Sequence, residues 1–540
     1  MKLREKFNKI FIILIIFTLC NSVFISEASA FSAHSYYTKN PKRPNHLYAI
    51  YENDLTSAEK TMIATLQGVI SNISDSQIYI LSKSQQDYKI WLDDLKENYG
   101  ITYDIVKNPW YLLDKFKSHV KGYVLYHNSS SKDPSINNAC SLAAVKNCLA
   151  IDESIENKIR THGIKKMKGD CRNTDKYWAY NNLWKFKLNH STVIELSPNK
   201  SVPLRDYAIM NKCLVFYEDT AKDFSLRDKI FGSMKKDSIC LGWGPDEYGN
   251  VKEASKYGVS VVPADWSYNL TVLSAFPSIP ITQESNKAPL NNLSSKDMHY
   301  VTFVMSDGDN QQWNLGNNYS SKKWYGSSSR GKFNMGFAIS PSIYELAPTA
   351  FKLYYKSAHS GTYNDNFIVS PSGEGYMYPS KFKEDALKLN IKRLNNYMKK
   401  ADQKYVAILD DWSFRNIGLW DKYTAYPNIQ GIFYLNYSRQ DDYKGEILWS
   451  NGKPVVSCRN LLWSKLEENN TLIEKINSYV NQGYTDISNP NAYTFVYVHA
   501  WSKTMGDVEK VISELNKNPK IKIVTPDTFM NLIKNNIKHK

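Results

Sequence analysis

The chain lacks long hydrophobic runs apart from one near the amino terminus. Residues 10–19 form this run, which is about half the length needed to span a bilayer. Four basic residues precede it, and small residues at 28–30 supply a cleavage site. This pattern predicts a secretory signal peptide over residues 1–30, with cleavage after about Ala30 and a secreted product. Because no second such run follows, we expect the mature protein to be soluble and without a membrane span.

Motifs of several other protein classes are absent. The chain has no Gly-x-Ser-x-Gly sequence, which argues against an esterase of the α/β-hydrolase type. It has neither a Walker sequence nor Gly-x-Gly-x-x-Gly, so no nucleotide cofactor is expected. No dense basic run with interleaved aromatic residues occurs, and nucleic-acid binding is therefore not predicted. The net charge of +15 is spread along the chain, which favours anionic cell-wall polymers or acidic polysaccharides as partners.

Cysteine is also scarce. Seven cysteines occur, and one of them, Cys20, lies in the predicted signal peptide. The spacings of the other six fit neither a zinc site nor a dense disulfide framework. Five of the six precede residue 241, so Cys458 is predicted to be a buried free thiol. One or two disulfide bridges in the amino-terminal half are left open by the sequence.

Apolar and aromatic residues are plentiful and follow an alternating helix and strand pattern, which predicts an α/β protein. They make up 42% and 13% of the chain, and about 510 mature residues are too many for a single core. A proline-containing, polar segment at 277–297 is the best candidate linker. We therefore expect two or three small α/β domains over residues 31–290, followed by a carboxyl-terminal domain over residues 297–540.

The carboxyl-terminal domain has a more regular rhythm of buried strands separated by helical stretches. Eight such strands in about 240 residues predict a (β/α)8-type barrel. The interval 431–458 contains more strand and loop than helix, so the barrel is expected to be distorted there. The candidate strands are 299–305, 333–339, 366–369, 405–409, 431–435, 454–458, 493–498 and 521–524.

Charged and aromatic side chains gather at the ends of these strands, which form the active-site face of such barrels. This concentration predicts that the carboxyl-terminal domain carries an activity. In chain order, the residues at the strand ends are Asp307, Asp309, Asn310, Glu374, Tyr376, Tyr378, Asp410, Asp411, Trp412, Tyr437, Arg439, Arg459, His499 and Trp501.

Residues 373–379 read Gly-Glu-Gly-Tyr-Met-Tyr-Pro, with two glycines around one carboxylate and rigid aromatic rings beyond them. Glycine allows the backbone to approach a ligand closely, and tyrosine offers a flat face with a polar tip. The heptapeptide matches the signature G-x-G-Y-x-Y-P, and residues 204–208, 241–247, 265–270 and 306–310 also resemble landmarks of the same family. The chain thus resembles the GxGYxYP family of secreted, mostly bacterial proteins, which are classed by name with the glycoside hydrolases. The resemblance covers most of the mature chain and implies a carbohydrate substrate.

Glycoside hydrolysis commonly needs one protonated and one ionised carboxyl group. Glu374, flanked by glycines and near a tyrosine, is the candidate general acid, because a partly apolar pocket would raise its pKa. The candidate ionised partners are Asp307, Asp309 and Asp410. The chain also contains 38 tyrosines and 13 tryptophans, whose rings can stack on sugars. The predicted substrate-binding residues are Tyr376, Tyr378, Asn310, Trp412, Arg439, His499 and Trp501.

Three alternatives remain at this stage. Asp307 and Asp309 could hold a divalent cation, although no metal site and no cofactor is predicted. A metal-dependent polysaccharide deacetylase is disfavoured because the chain lacks the His-x-x-x-His ligand pair of those enzymes. A non-catalytic glycan- or cell-wall-binding protein would keep the same strand-end aromatic residues. The stretches 243–247 and 265–269 are interpreted as an interface to the barrel in preference to a lining of its cleft.

Overall fold

The computed structural model of the protein describes residue 37 and residues 41–219, 223–287 and 297–539. The predicted signal peptide lies outside these residues. Within the described ranges, no helix combines the length and the apolar character needed to cross a membrane.

Strands and helices alternate along most of the described chain, and β15 to β18 follow one another without a helix. The strands are β1 (His46–Tyr51), β2 (Ser76–Leu81), β3 (Thr102–Ile105), β4 (Tyr123–Tyr126), β5 (Leu149–Asp152), β6 (Met167–Asp170), β7 (Thr192–Glu195), β8 (Leu214–Phe216), β9 (Ser238–Gly242), β10 (Val259–Val262), β11 (His299–Met305), β12 (Met335–Ile339), β13 (Asp365–Val369), β14 (Tyr405–Asp410), β15 (Gly431–Asn436), β16 (Ile447–Ser450), β17 (Lys453–Ser457), β18 (Asn460–Leu462), β19 (Tyr493–Val498) and β20 (Ile521–Ile523). The helices are α1 (Ser57–Ile70), α2 (Asp87–Tyr99), α3 (Pro109–Phe116), α4 (Ser135–Lys146), α5 (Glu156–Thr161), α6 (Trp178–Lys187), α7 (Arg205–Asn211), α8 (Ser225–Gly232), α9 (Glu247–Lys256), α10 (Leu270–Leu273), α11 (Gln311–Trp313), α12 (Pro341–Leu346), α13 (Pro348–Lys356), α14 (Glu384–Ala401), α15 (Ile417–Thr424), α16 (Asn469–Asn481), α17 (Met505–Leu515) and α18 (Pro526–Asn536).

The amino-terminal part contains three small parallel sheets, with strand orders β2-β1-β3, β5-β4-β6 and β10-β9-β7-β8. Strands β4, β5, β9 and β10 are buried along their whole length. Burial on both faces explains why these strands read as continuous apolar runs, because helices cover both sides of a parallel sheet. The predicted α/β class is confirmed.

The carboxyl-terminal part forms one large sheet with the order β16-β17-β15-β14-β13-β12-β11-β19-β18, and β20 pairs with β11. Its neighbouring strands are parallel except for β16 and β17, which form an antiparallel hairpin. The sheet curls into an open half-barrel, and the expected complete (β/α)8 barrel is not confirmed. In the chain, strand β16 of this hairpin lies between β15 and β17. It falls in the interval 431–458, which the sequence predicted to be irregular.

The six described cysteines, Cys140, Cys148, Cys171, Cys213, Cys240 and Cys458, are all buried and none is bridged to another. The prediction of a buried free thiol at Cys458 is confirmed. The disulfide bridges that the sequence left open do not form among these residues.

Buried polar side chains join the small sheets to one another. Asn269, just before α10, accepts a hydrogen bond from the Ile80 amide at 2.7 Å and donates to the Ile80 carbonyl at 2.8 Å. These two bonds connect the third sheet's domain to strand β2 of the first sheet. The carboxylate of Asp206 accepts from both the amide and the hydroxyl of Thr271 at 3.0 Å. Asn269 thus joins the third domain to the first, and Asp206 joins two helices within the third domain.

The Gly-Glu-Gly-Tyr-Met-Tyr-Pro loop after β13 joins the third small sheet to the large sheet. The Tyr376 amide donates to the Val261 carbonyl at 2.8 Å, and the Val261 amide donates back to the Tyr376 carbonyl at 2.9 Å. A Cβ on Gly375 would lie 2.9 Å from the Cβ of Ser260 and 3.1 Å from the Val261 carbonyl oxygen. Because real Cβ atoms do not approach so closely, glycine at 375 permits the loop to lie against β10.

We expect Gly375→Ala to destabilise the protein by about 1–3 kcal/mol, because the new methyl group would force the loop and β10 apart. The matched control is Gly418→Ala in α15, where a Cβ would meet nothing closer than an amide oxygen at 3.8 Å. Thermal unfolding of the two variants and the wild type measures the difference. Equal melting temperatures for Gly375→Ala and the wild type would contradict the close approach.

Candidate active site

A cavity of about 440 Å³ opens at the carboxyl ends of the strands of the large sheet. The carboxyl ends of parallel strands meet at one edge, so loops from distant parts of the chain converge there. Residues that follow β9 in the third small sheet also line it. The lining residues are Trp243, Glu247, Ser306, Asp307, Asp309, Asn310, Gln312, Pro371, Tyr376, Leu409, Leu435, Tyr437, Arg439, Trp463, Tyr497, His499 and Trp501.

Asp307 and Asp309 lie on the tight loop that follows β11. Asp307 has a positive φ of 63°, and its carbonyl accepts the Asn310 amide at 3.0 Å, which closes the turn. Gly308 between them lies against β12, where a Cβ would be 1.8 Å from the Ala338 carbonyl oxygen. The loop is thus held against the sheet, and both carboxyl groups are fixed at the cavity.

The two aspartates have different acidities. Burial raises the pKa of Asp307 to about 6, against hydrogen bonds from Ser306 and Trp501 that lower it. Burial and the nearby Asp307 charge raise the pKa of Asp309 well above its usual range. Burial therefore favours the protonated form of both carboxyl groups, and that of Asp309 more strongly because the charge of Asp307 adds to it.

A third carboxyl group, Glu247, reaches the cavity from the first turn of α9. The Tyr376 hydroxyl donates to Glu247 Oε1 at 2.8 Å, and the Tyr376 ring stacks on Trp243 with centroids 6.4 Å apart. The charge of Glu247 contributes to the raised pKa of both Asp307 and Asp309. The stretch 243–247, interpreted from the sequence as an interface, lines the cavity as well.

On the opposite side, aromatic stacking fixes a histidine and an arginine. The His499 ring lies parallel to the Trp463 ring, with an interplanar angle of 3° and centroids 3.6 Å apart. His499 Nδ1 pairs with the Ser502 hydroxyl at 2.8 Å. Burial and the charge of Arg439 lower the pKa of His499 to about 4, so its imidazole is neutral at neutral pH. The Arg439 guanidinium lies over the same indole, 4.4 Å from the ring centroid.

Tryptophans form the rim of the cavity. Trp501 is 49% exposed, packs on Trp313 with centroids 5.0 Å apart and lowers the pKa of Asp307. Trp266, which follows β10, is 48% exposed, and its amide donates to the side chain of Gln312 in the cavity wall at 2.8 Å. Flat apolar faces are thus exposed to solvent beside the carboxyl groups.

The structure brings most of the predicted site residues together and leaves four outside the cavity lining. Those that line it are Asp307, Asp309, Asn310, Tyr376, Arg439, His499 and Trp501. Those that do not are Glu374, Asp410, Tyr378 and Trp412.

Two of these four residues hold the loop of residues 373–379, the motif loop, in place. Asp410 is buried and accepts from the Ser380 amide at 2.9 Å, the Ser380 hydroxyl at 2.8 Å and the Ser413 hydroxyl at 2.6 Å. Tyr378 is fully buried against Tyr248 and Tyr437, with centroids 5.5 and 5.6 Å away. Both residues therefore stabilise the position of the motif loop and do not line the cavity.

Trp412 is 55% exposed and packs edge-on against Tyr443, with centroids 6.2 Å apart. It follows β14 at the same edge of the sheet, and its amide donates to the Asn436 side chain at 2.7 Å. It thus presents an aromatic face beyond the cavity itself.

Glu374 is buried between the large sheet and the third small sheet. Its carboxylate lies 3.9 Å from the Arg393 guanidinium, and its backbone carbonyl accepts the Tyr37 hydroxyl at 2.8 Å. Burial raises its pKa to about 8, and the charge of Arg393 only partly offsets this, while Glu345 and Asp237 raise it further. The raised pKa expected from the sequence is present, but at a position away from the cavity.

Within the described part of the chain, no group of three or more His, Cys, Asp or Glu side chains is arranged to hold a metal ion. The divalent cation considered for Asp307 and Asp309 thus has no third ligand of these types among those residues.

Comparison with known proteins identifies the family. Models of the first, second and third GxGYxYP amino-terminal domains match residues 46–118, 120–188 and 190–275, and the model of the "GxGYxYP putative glycoside hydrolase C-terminal domain" matches residues 297–534. The chain belongs to the GxGYxYP family. The crystal structure of a "putative hydrolase" from Bacteroides thetaiotaomicron VPI-5482 is similar, with a TM-score of 0.85 and 32% identity over 93% of this chain and 97% of that one. Among curated proteins, no relative matches the chain.

Glu374→Gln is expected to change how stability depends on pH. The folded protein holds a proton on Glu374 up to about pH 8, whereas an unperturbed glutamate releases it near 4.5. Stability of the wild type should therefore fall as pH rises through this window, by a few kcal/mol at most, and the glutamine variant should lack this loss.

The measurement is the melting temperature at several pH values between these limits. Glu384→Gln, at the exposed start of α14, is the matched control and should follow the wild type. Parallel pH curves for the wild type and Glu374→Gln would show that the buried carboxyl group does not titrate as described.

Proposed function

We propose that the protein is a secreted glycoside hydrolase that cleaves a glycosidic bond of an oligosaccharide or polysaccharide in the cavity at the edge of the large sheet. The observation that carries the proposal is the pair of aspartates on one loop that line the cavity, of which Asp309 has the more strongly raised pKa. The family description and the similar hydrolase structure support the reaction class. Secretion is proposed from the signal peptide pattern in the sequence.

Asp309 is the proposed general acid. Burial and the charge of Asp307 raise its pKa, which favours the protonated form that can donate to the leaving glycosidic oxygen. Asp307, with a pKa of about 6, is the proposed ionised partner that stabilises the positive charge on the sugar, as nucleophile or as base for water. Because Glu374 lies outside the cavity lining, the geometry favours Asp309 over Glu374 for the acid role.

Glu247 and the aromatic residues would orient the sugar. Glu247 is held by the Tyr376 hydroxyl and adds a hydrogen-bond acceptor from the third domain. Trp501 and Trp243 offer flat faces at the cavity, and sugar rings stack on such faces through their apolar C–H groups. Trp412 and Trp266 lie beyond the cavity and would contact further sugars of a longer chain.

The direct test is the release of new reducing ends from a panel of plant, fungal and bacterial-wall polysaccharides. We expect Asp309→Asn and Asp307→Asn each to lower the rate by about 10²–10⁴-fold, because each removes one proton-transfer or charge-stabilising group. Asp442→Asn, an exposed residue outside the cavity lining, is the matched control and should keep full activity.

The other results distinguish the remaining candidates. Retention of the protein on one polymer without any cleavage would favour a glycan-binding protein, and release of acetate without new ends would favour a deacetylase. Unsaturated sugars at the new ends would identify elimination and contradict hydrolysis. Loss of activity in Glu374→Gln with unchanged folding would return the acid role to Glu374.

The pH dependence of kcat/KM should be bell-shaped. The acid limb should lie near pH 6, where Asp307 becomes ionised, and the alkaline limb should follow the loss of the Asp309 proton. Glu247→Gln should shift both limbs to lower pH, because the charge of Glu247 raises the pKa of both aspartates. An acid limb that stays in place in this variant would contradict the electrostatic coupling across the cavity.

A further inference from the structure

Arg439 is the only arginine or lysine among the described residues that line the cavity. It follows β15 at a position with a positive φ of 57°, and one of its terminal nitrogens donates to the Tyr437 carbonyl. Its guanidinium makes no ion pair with a carboxylate of the described chain, and its Nε is buried without a hydrogen-bond partner. A buried donor left unpaired costs free energy.

The guanidinium is also held in one place. It lies 4.4 Å from the centroid of Trp463 and 5.3 Å from that of Tyr437, so two aromatic rings limit its motion. The same indole of Trp463 carries the neutral imidazole of His499 on a parallel plane. A cation fixed in this way loses little conformational entropy when a ligand binds to it.

We propose that Arg439 binds a carboxylate of the substrate, so that the natural substrate is a glycan built with carboxylate-bearing sugars such as hexuronic acids. The inference rests on the proposed function, because it assigns the substrate class of the same cavity. The planar fork of a guanidinium matches the two oxygens of a carboxylate, and such charge-assisted bonds are among the strong hydrogen bonds.

The charges of the cavity favour a carboxylate over a phosphate. Asp307 and Glu247 lie in the same cavity, so a dianionic group would meet more repulsion there than a singly charged carboxylate. The chain as a whole carries a formal net charge of +15, and a diffuse positive field draws polyanionic chains toward the surface. The overall field thus assists approach, and Arg439 provides the local contact.

The test compares each acidic polysaccharide with its carboxyl-reduced form, in which the uronic acids become neutral sugars of the same linkage. Polygalacturonate, alginate, hyaluronan and glucuronoxylan make up the panel. We expect wild-type kcat/KM to be about 10- to 100-fold higher on the acidic form of the polymer that is cleaved, as befits a hydrogen bond to a charged group. Arg439→Gln should lose this preference and act on the two forms equally.

Two controls keep the result specific. Arg439→Lys retains the charge without the fork and should keep only part of the preference. Arg415→Gln, whose guanidinium pairs with Glu446 and Asp442 outside the cavity lining, should behave as the wild type. If Arg439 acted only by lowering the pKa of Asp307, Arg439→Gln would lose rate equally on both forms and its acid limb would move to higher pH.

Failure of the proposed function is distinguishable from failure of this inference. If no polymer is cleaved, binding of the acidic and carboxyl-reduced forms to the wild type and to Arg439→Gln gives the same comparison without turnover. Equal action on, or equal binding of, both forms by the wild type would overturn the inference, as would a preference for sulfated or neutral polymers. The wild-type comparison needs no variant, so it stands even if Arg439→Gln does not fold.

Discussion

Two backbone hydrogen bonds between Val261 and Tyr376 connect the third small sheet to the motif loop of the large sheet, and the geometry of the cavity depends on them. They bring α9, with Glu247 at its start, to the carboxyl edge of β11, where Asp307 and Asp309 lie. Glycine at 375 makes this approach sterically possible. Residues 373–379 thus connect the third small sheet to the large sheet. Among their side chains, only that of Tyr376 lines the cavity.

Burial is the second common factor in the site. The low-dielectric surroundings raise the pKa of Asp307 and Asp309, and they lower that of His499. Burial thereby favours a protonated Asp309 and a neutral His499 in the same cavity. Aromatic rings also flank these groups: Trp463 stacks on His499, and Trp501 lines the cavity beside Asp307.

Much of the large sheet could be predicted from the sequence, because buried parallel strands are continuous apolar runs. The bounds of β11 agree with the predicted 299–305, and β19 agrees with 493–498. Asp307 and Asp309 follow the buried strand β11 directly and line the cavity at its carboxyl end. The hairpin of β16 and β17 was not predicted as such, since its strands are short and β16 is only partly buried.

The role of Glu247 at the cavity could not be found from local pattern alone. It belongs to a different sheet from the aspartates, and only the tertiary contact through Tyr376 brings it to them. Its position soon after β9, at the carboxyl end of a parallel strand, was the available indication. Glu374 was misleading for the opposite reason: its neighbours in the chain resemble a binding loop, but the loop turns its carboxyl group toward Arg393 at the domain interface.

The six unbridged cysteines have a consequence for how the chain must fold. In the native state burial makes the thiols poor nucleophiles, raising the pKa of Cys148 to about 11 and that of Cys171 to about 12. A nascent chain that emerges into an oxidising space has no such protection until its sheets close. In the secreted protein that we propose, cross-linking would therefore be limited by how fast the amino-terminal half buries its five thiols.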